Sequence, residues 1–462
     1  MPGHGPRAPG GSASSGSPSH RHYHPYATAA TVAGGSTGSN RPPQSPPVAE
    51  SVPSKLTKIK LKGDQPFFND WEITAVDHAR ERVYIYGGFR PDDKNSELPT
   101  CDFHCLDLKT MKWDNLTDCL RFRPGNFVAD PFRKDGPAFE LRRLPALAGA
   151  AIAITSLHHG TFLFLCGGFD GENPTSDLIA VDLDDAVWWF VEVQGHPIRP
   201  RMSAAMVAIN NQLFIFGGQN DPDDDSPPIR TYSIAVYCTM YKPQTGWTWM
   251  VSDAPMPPDI PLLGSNIQAV SVYNGQKILL TQGGRVKNVA TMDLSRESTV
   301  LFHTENHTFQ DARATMGAFP KGFYWLQLGS LVAGAPLSAP PTPRRRGRPP
   351  KAPLAVTPVP THDFPPSAVM FAWVLHSNKE HIVPEAWQYL LPPAERIRCL
   401  GLRESIWQLN VDLQRFVAVG NRLILLGNED GRDVQVDKPI PRLDLAVEIF
   451  PSISCSETQN VI

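Results

Sequence analysis

The chain has 462 residues, of which 41% are hydrophobic and 19% charged, and this composition excludes a chain that is disordered throughout. Its formal net charge of −3 excludes a general electrostatic attraction to nucleic acid or anionic membranes, so any basic function has to be local. The seven cysteines are scattered, unlike a disulfide framework, and no apolar run nears the roughly 20 residues that cross a bilayer. The N-terminus lacks the apolar stretch of a secretory signal. We therefore expect an intracellular protein, cytoplasmic or nuclear.

Residues 1–54 are rich in proline, glycine and serine and show no hydrophobic periodicity. Such a composition buries too little apolar surface to offset the entropy lost on ordering. We therefore predict a disordered tail over residues 1–54. A folded domain is predicted over residues 55–451, and a short C-terminal tail over residues 452–462.

A unit recurs along the predicted domain: a β-rich apolar run, a glycine pair, a polar loop, a second apolar run, and then a tryptophan. The clearest glycine pairs are Gly87 and Gly88, Gly167 and Gly168, Gly217 and Gly218, and Gly283 and Gly284. The tryptophans assigned to the units are Trp113, Trp188, Trp247 or Trp249, and Trp387. Two weaker copies retain a single glycine, at Gly329 and Gly427, which brings the number of units to six.

This pattern resembles the kelch repeat, in which each unit is a four-stranded antiparallel blade of a β-propeller. The resemblance implies an all-β, six-bladed kelch-type propeller over residues 55–451. The physical reasons agree, because the apolar runs can pack between blades, glycines suit crowded turns, and a tryptophan fills the widening gap between blades. The number of blades becomes seven if residues 118–149 conceal a further unit.

The two ends of the domain are expected to pair with each other. The last unit has three apolar runs and lacks a fourth, whereas residues 55–62 alternate between apolar and polar positions and have no neighbouring strand of their own. An open ring would leave strand edges unpaired. We therefore predict that this N-terminal strand completes the last blade, the join that kelch propellers are known to use.

One face of the predicted propeller collects most of the variable sequence. Because successive strands reverse direction, the loop after each second strand and the connection to the next blade share a face. The long insertions on that face are residues 89–102, 118–149, 170–177, 219–231, 331–367 and 428–442. Scaffolds carry recognition on such loops, so we expect a non-enzymatic interaction scaffold that binds another protein there.

The loop over residues 331–367, assigned to blade five, is rich in proline and basic residues. Its candidate DNA-binding residues are Arg344, Arg345, Arg346, Gly347, Arg348, Pro349 and Lys351. The Arg-Gly-Arg-Pro core resembles an AT-hook, and this resemblance implies contact with the narrow minor groove of A·T-rich DNA. Two alternatives are a nuclear-import signal and a solvated linker.

An enzymatic role is the third class to consider, because some secreted kelch propellers are copper oxidases of the galactose-oxidase type. The histidines of this chain do not cluster within the repeats, and Cys101 and Cys105 lack the second ligand pair of a structural zinc site. No P-loop or nucleophile elbow is present. We expect no enzyme activity, no cofactor and no metal, and keep the copper oxidoreductase as the alternative.

Overall fold

The computed structural model describes residues 50–51, 54–90, 98–124, 140–157, 160–209, 211–220, 229–242, 246–258, 267–282, 284–285, 300–311, 323–331, 367–375, 382–390, 396–399, 412–419, 422–428 and 442–451. These residues form an all-β structure whose one helical element is a 3₁₀ turn at Tyr273–Gly275. Among them, no helix has the length and apolar character needed to cross a membrane.

The strands follow one another in chain order. They begin with β1 (Glu50–Ser51), β2 (Ser54–Lys60), β3 (Lys62–Gly63), β4 (Ile73–Asp77), β5 (Arg82–Tyr86), β6 (Phe103–Asp107), β7 (Lys112–Asn115), β8 (Arg121–Phe122), β9 (Glu140–Leu141) and β10 (Ala151–Leu157). They continue with β11 (Gly160–Cys166), β12 (Leu178–Asp182), β13 (Val187–Phe190), β14 (Val193–Gly195), β15 (Ala205–Ile209), β16 (Gln212–Phe216), β17 (Thr231–Lys242), β18 (Gly246–Pro255), β19 (Ile267–Val272) and β20 (Lys277–Gln282). The last are β21 (Gly284–Arg285), β22 (Val300–His303), β23 (Thr308–Asp311), β24 (Phe323–Leu331), β25 (Ser367–Leu375), β26 (Ile382–Leu390), β27 (Arg396–Cys399), β28 (Asp412–Val419), β29 (Arg422–Asn428) and β30 (Leu445–Pro451).

Five sheets are complete four-stranded antiparallel blades. Their strand orders are β4-β5-β6-β7, β10-β11-β12-β13, β15-β16-β17-β18, β19-β20-β22-β23 and β28-β29-β30-β2. The first strand of each blade contacts the first strand of the next, from β28 to β4, β10, β15 and β19. Buried hydrophobic clusters fill the spaces between adjacent blades. This arrangement is a β-propeller.

The remaining sheet is built differently, so the structure shows five such blades where the repeat predicts six. In this sheet β24, β25, β26 and β27 are antiparallel neighbours, but the inner edge of β24 is occupied by β21, which comes from the preceding unit. Its outer edge carries β1, paired in parallel with β27. In the complete blades, by contrast, no strand of the described residues pairs with the inner edge of the first strand.

The predicted join between the two ends of the domain is confirmed. Strand β2 pairs antiparallel with β30 over its whole length, from Ser54 opposite Pro451 to Lys60 opposite Leu445. The next residue, Leu61, is buried and its N–H donates to the carbonyl of Asp444 at 2.8 Å. The N-terminal strand therefore closes the last blade.

Residues 118–149 do not build a separate blade in the part that the structure describes. Strand β8 pairs in parallel with β13, and β9 pairs antiparallel with β8. These two short strands therefore extend the outer edge of the second blade. The seven-bladed alternative has no support among the described residues.

The repeat glycines and tryptophans have distinct places in the blades. All six described glycines of the first three pairs have φ between 61° and 101°, a region that residues with a Cβ atom rarely adopt. Trp113 and Trp188 are fully buried and Trp249 is 8% exposed. Trp247 and Trp387 lie in β18 and β26 with side chains outside the described set, Gly283 is outside it, and Gly284 begins β21.

Candidate interaction surface

Three glycine pairs, the first three in the chain, are each followed by a residue that forms a β-bridge. Its partner lies in the connection that leads into the same blade. Isolated β-bridges join Phe89 to Asp70, Phe169 to Ala148, and Gln219 to Met202. The loops after the second strands and the connections between blades therefore meet on one side of the propeller. We call this side the loop face.

Three successive blades are hydrogen-bonded to each other on the loop face. The N–H of Gly149 donates to the carbonyl of Trp71 at 2.9 Å, and the N–H of Ser203 donates to the carbonyl of Gly149 at 2.7 Å. Each of these residues stands two positions before the first strand of its blade, and their φ angles are 60°, 61° and 56° in chain order. They are equivalent positions with the same left-handed backbone.

An exposed apolar surface lies beside these hydrogen bonds. Trp71 is 42% exposed and its ring meets that of Phe89 at 6.4 Å between centroids and 71° between planes. The Phe89 ring lies 6.1 Å from that of Phe169 in the second blade. Leu98 is 60% exposed and lies against Gly171 of the second blade. We call Trp71, Phe89, Leu98 and Phe169 the aromatic patch.

Two arginines border the aromatic patch on the side of the last blade. The guanidinium groups of Arg90 and Arg442 lie 5.0 Å and 4.5 Å from the centre of the Phe67 ring. Arg90 forms an ion pair with Asp102 at 2.6 Å. Arg442 is exposed, and within the described part of the chain no carboxylate forms an ion pair with it. The border therefore offers a positive charge to a ligand.

A buried ion pair supports this region from the last blade. Arg415 of β28 binds Glu72 at 3.0 Å, and their side chains are 6% and 0% exposed. A second Arg415 nitrogen donates to the carbonyl of Asn69 at 3.2 Å, and the Asn69 N–H donates to Glu72 at 3.0 Å. Burial raises the pKa of Glu72, although the charge of Arg415 acts against this shift. The pair fixes the segment that carries Trp71.

The structure does not describe the residues predicted from the sequence to bind DNA. Arg344, Arg345, Arg346, Gly347, Arg348, Pro349 and Lys351 all lie outside the described residues. Among the described residues, no group of three or more histidine, cysteine, aspartate or glutamate side chains could hold a metal ion.

The aromatic patch and its arginine border were missed by sequence reasoning. One available signal was the alignment of the repeat units, which places Trp71 where other blades have Gly149 and Ser203. A bulky aromatic residue at a position that otherwise holds small residues indicates a local role. No comparable signal marks Arg442, which meets Phe67 only after the ring closes.

The fold and this surface define the class of the protein as a β-propeller with an exposed aromatic patch on its loop face. No family model matches the chain. It is 27% identical to acyl-CoA-binding domain-containing protein 4 of Arabidopsis thaliana over 211 residues, 46% of this chain and 26% of that protein. It is 24% identical to acyl-CoA-binding domain-containing protein 5 of the same plant over 227 residues, 49% and 28% of the two chains. The chain thus spans about a quarter of the length of these curated relatives.

Proposed function

We propose that this protein is a non-enzymatic interaction scaffold whose loop face binds another protein. The observation that carries the proposal is the aromatic patch, where Trp71 and Leu98 are 42% and 60% exposed beside backbone hydrogen bonds between blades. Contiguous exposed apolar surface on a soluble domain is typical of binding sites. Aromatic residues and arginine are also the residue types that contribute most to protein interfaces.

The chemistry of the surface favours a particular kind of partner segment. The aromatic patch suits an apolar side chain, and the neighbouring Arg442 has no carboxylate of its own among the residues that the structure describes. Charge complementarity therefore favours a carboxylate next to the apolar residue. We propose an extended protein segment that presents an apolar side chain beside an acidic one.

A peptide selected on the intact chain tests this proposal. Peptides from a phage-displayed random library are enriched on the full-length protein, and the best is synthesised with a fluorescent label and titrated by anisotropy. Leu98→Ser is expected to weaken binding by more than about fivefold, because it removes apolar contact area at the surface. Leu141→Ser is the matched control, since Leu141 is 74% exposed but lies on the outer edge of the second blade. Equal loss of affinity in both variants contradicts the proposal.

The charge of the partner is tested separately. Arg442→Gln is expected to weaken binding of the same peptide at low salt, with a smaller effect at high salt because exposed charges are screened. Lys109→Gln removes one positive charge at the turn between β6 and β7 and serves as the control. Selected peptides that lack acidic residues and bind the Arg442→Gln variant normally would contradict an acidic partner.

We further infer that the sheet of β24–β27 acts as a sixth, kelch-type blade. Two contacts support this inference, because β24 touches β19 on one side and β28 on the other, which are first strands of complete blades. An ideal Cβ atom at Gly329 would lie 2.8 Å from the Cβ of Ala418, which explains a glycine where the two sheets approach. An experimental structure showing β24 away from β28 would exclude the sixth blade.

DNA binding by the basic loop is a second candidate function, supported by the Arg346-Gly347-Arg348-Pro349 sequence alone. We propose that this loop tethers the scaffold to A·T-rich DNA. The test is a gel shift of the whole protein on A·T-rich and G·C-rich duplexes, in which Arg346→Ala with Arg348→Ala should abolish the preference for A·T. If the double variant keeps the preference for A·T-rich DNA, the loop does not bind DNA in this way and is an import signal or a linker. Loss of nuclear localisation in the same variant would then indicate an import signal, and unchanged localisation a linker.

The copper oxidoreductase is the enzymatic alternative to a scaffold. Metal analysis of the purified protein and turnover of primary alcohols after copper loading test it directly. We expect neither stoichiometric copper nor turnover.

A further inference from the structure

Trp71 adopts a backbone conformation that is unusual for a large side chain. Its φ angle is 60°, in the left-handed region that residues with a Cβ atom adopt at a cost in free energy. Such strain persists only where the surrounding structure enforces it, and it is concentrated at functional sites. The conformation alone does not account for a tryptophan at this position.

The fold requires the backbone conformation at this position but not the indole. The equivalent residues of the second and third blades, Gly149 and Ser203, have the same φ and form the same chain of hydrogen bonds. These bonds use only backbone N–H and carbonyl groups. A glycine or a serine therefore performs the structural task in the other two blades.

Packing within the protein covers only part of the Trp71 side chain. Its Cε3 lies 3.2 Å from the ideal Cβ position of Gly149, and its ring meets Phe89 edge to face, yet 42% of the residue is exposed. Tryptophan anchors many interfaces because it offers a large rigid surface at a small entropy cost. Resting on the proposed function, we infer that Trp71 contacts the partner directly and is the anchor of the loop-face interface.

Two substitutions separate direct contact from support of the loop. Trp71→Ala and Trp71→Gly both remove the indole, but glycine accepts a φ of 60° more readily than alanine does. We expect the melting temperature of the glycine variant to exceed that of the alanine variant. Affinity for the labelled peptide should fall at least about tenfold in both, since the contact is lost in both.

Recovery of binding in Trp71→Gly along with the stability would overturn the inference, because the indole would then serve only to hold the loop. Trp71→Phe, which keeps an aromatic ring, is expected to retain more affinity than either variant. Its affinity for the peptide also tests the inference if the alanine and glycine variants fail to fold. Ser203→Gly is the matched control at an equivalent position and should bind the peptide like the natural chain.

The inference and the proposed function fail in different ways. If Leu98→Ser and Arg442→Gln weaken binding while the Trp71 variants do not, the loop face is the binding site and Trp71 is not its anchor. If none of these substitutions changes the affinity, the loop-face scaffold itself is wrong.

Discussion

At the scale of single residues, the most consequential contact joins Glu72 to Arg415, which are 343 positions apart in the chain. Removing two charges from water is costly, and the hydrogen bonds with Asn69 compensate part of that cost. Replacing Arg415 by methionine would leave the Glu72 carboxyl buried without its partner. Breaking a buried pair in this way typically costs about 3–5 kcal/mol.

The titration of Glu72 gives a pH dependence with a definite sign. Since burial raises its pKa above the usual 4.5, the folded protein holds this proton more tightly than the unfolded chain. The free energy of unfolding should therefore decrease as the pH rises through the pKa of Glu72. Denaturant unfolding of the natural chain and of Glu72→Gln between pH 4 and pH 7 measures this contribution. The predicted sign is contradicted if the difference in the free energy of unfolding between the two proteins does not change with pH, or if the natural chain becomes relatively more stable as the pH rises.

The cysteines should differ in reactivity according to their burial. Burial raises the pKa of Cys105 to about 11 and that of Cys166 to about 12, so both remain protonated thiols near neutral pH. Cys119 is exposed. Limited alkylation of the native protein, followed by peptide mass spectrometry, should label Cys119 well before Cys105 or Cys166. Early labelling of either buried thiol would mean that its blade opens locally.

At the scale of elements, the glycine pair determines how a second strand ends at the loop face. An ideal Cβ atom at Gly87 would lie 2.1 Å from the carbonyl oxygen of Leu147, and one at Gly167 would lie 2.3 Å from that of Arg201. The second glycine of each pair also donates its N–H to the same carbonyl, in Gly88 and Gly168. Close backbone approach and positive φ together exclude a side chain here.

We expect Gly87→Ala to lower the free energy of unfolding by about 1–3 kcal/mol or more, since it adds both backbone strain and a clash. Gly160→Ala is the matched control. Gly160 is not among the positive-φ glycines, and the nearest neighbour of an added Cβ atom would be a side-chain oxygen of the exposed Asp184 and not a backbone atom. Chemical denaturation of both variants checks the difference. Equal losses would show that the glycine pair has no special conformational role.

At the scale of the whole molecule, the contact between the two ends of the domain closes the ring. Besides the pairing of β2 with β30, the indole N–H of Trp113 in the first blade donates to the carbonyl of Leu443 beside the last blade at 3.0 Å. A buried cluster that includes Val83, Trp113 and Leu426 lies between these two blades. Closure is therefore supported by backbone pairing and by apolar packing together.

Removal of residues 1–60 should destabilise the propeller, because it deletes β2 and exposes the edge of β30. Removal of residues 1–49 alone, which spares β2, is the control. We expect the longer deletion to lower the melting temperature and to produce association that increases with concentration, measured by light scattering. Identical melting curves for the two truncated proteins would show that β2 contributes little to closure.

Much of this organisation was predictable from local sequence. The apolar runs, the glycine pairs and the pairing of residues 55–62 with the last unit follow from alternation, conformational freedom and the need to cover a strand edge. The irregular edges of the sheet of β24–β27 were not predictable in the same way. Pairing of β21 with β24 depends on which edges meet in space, and the repeat pattern carries no information about that edge.

The sequence by itself determined that the chain is an all-β propeller closed by its N-terminal strand, because strand periodicity and glycine conformation are local properties. The tertiary structure alone decided the composition of the binding surface. Trp71, Leu98 and Phe169 come from two blades, and Arg442 reaches Phe67 from the other end of the domain. Residues so distant in the chain become neighbours only when the ring closes. No single segment of the sequence therefore reveals the surface that they form together.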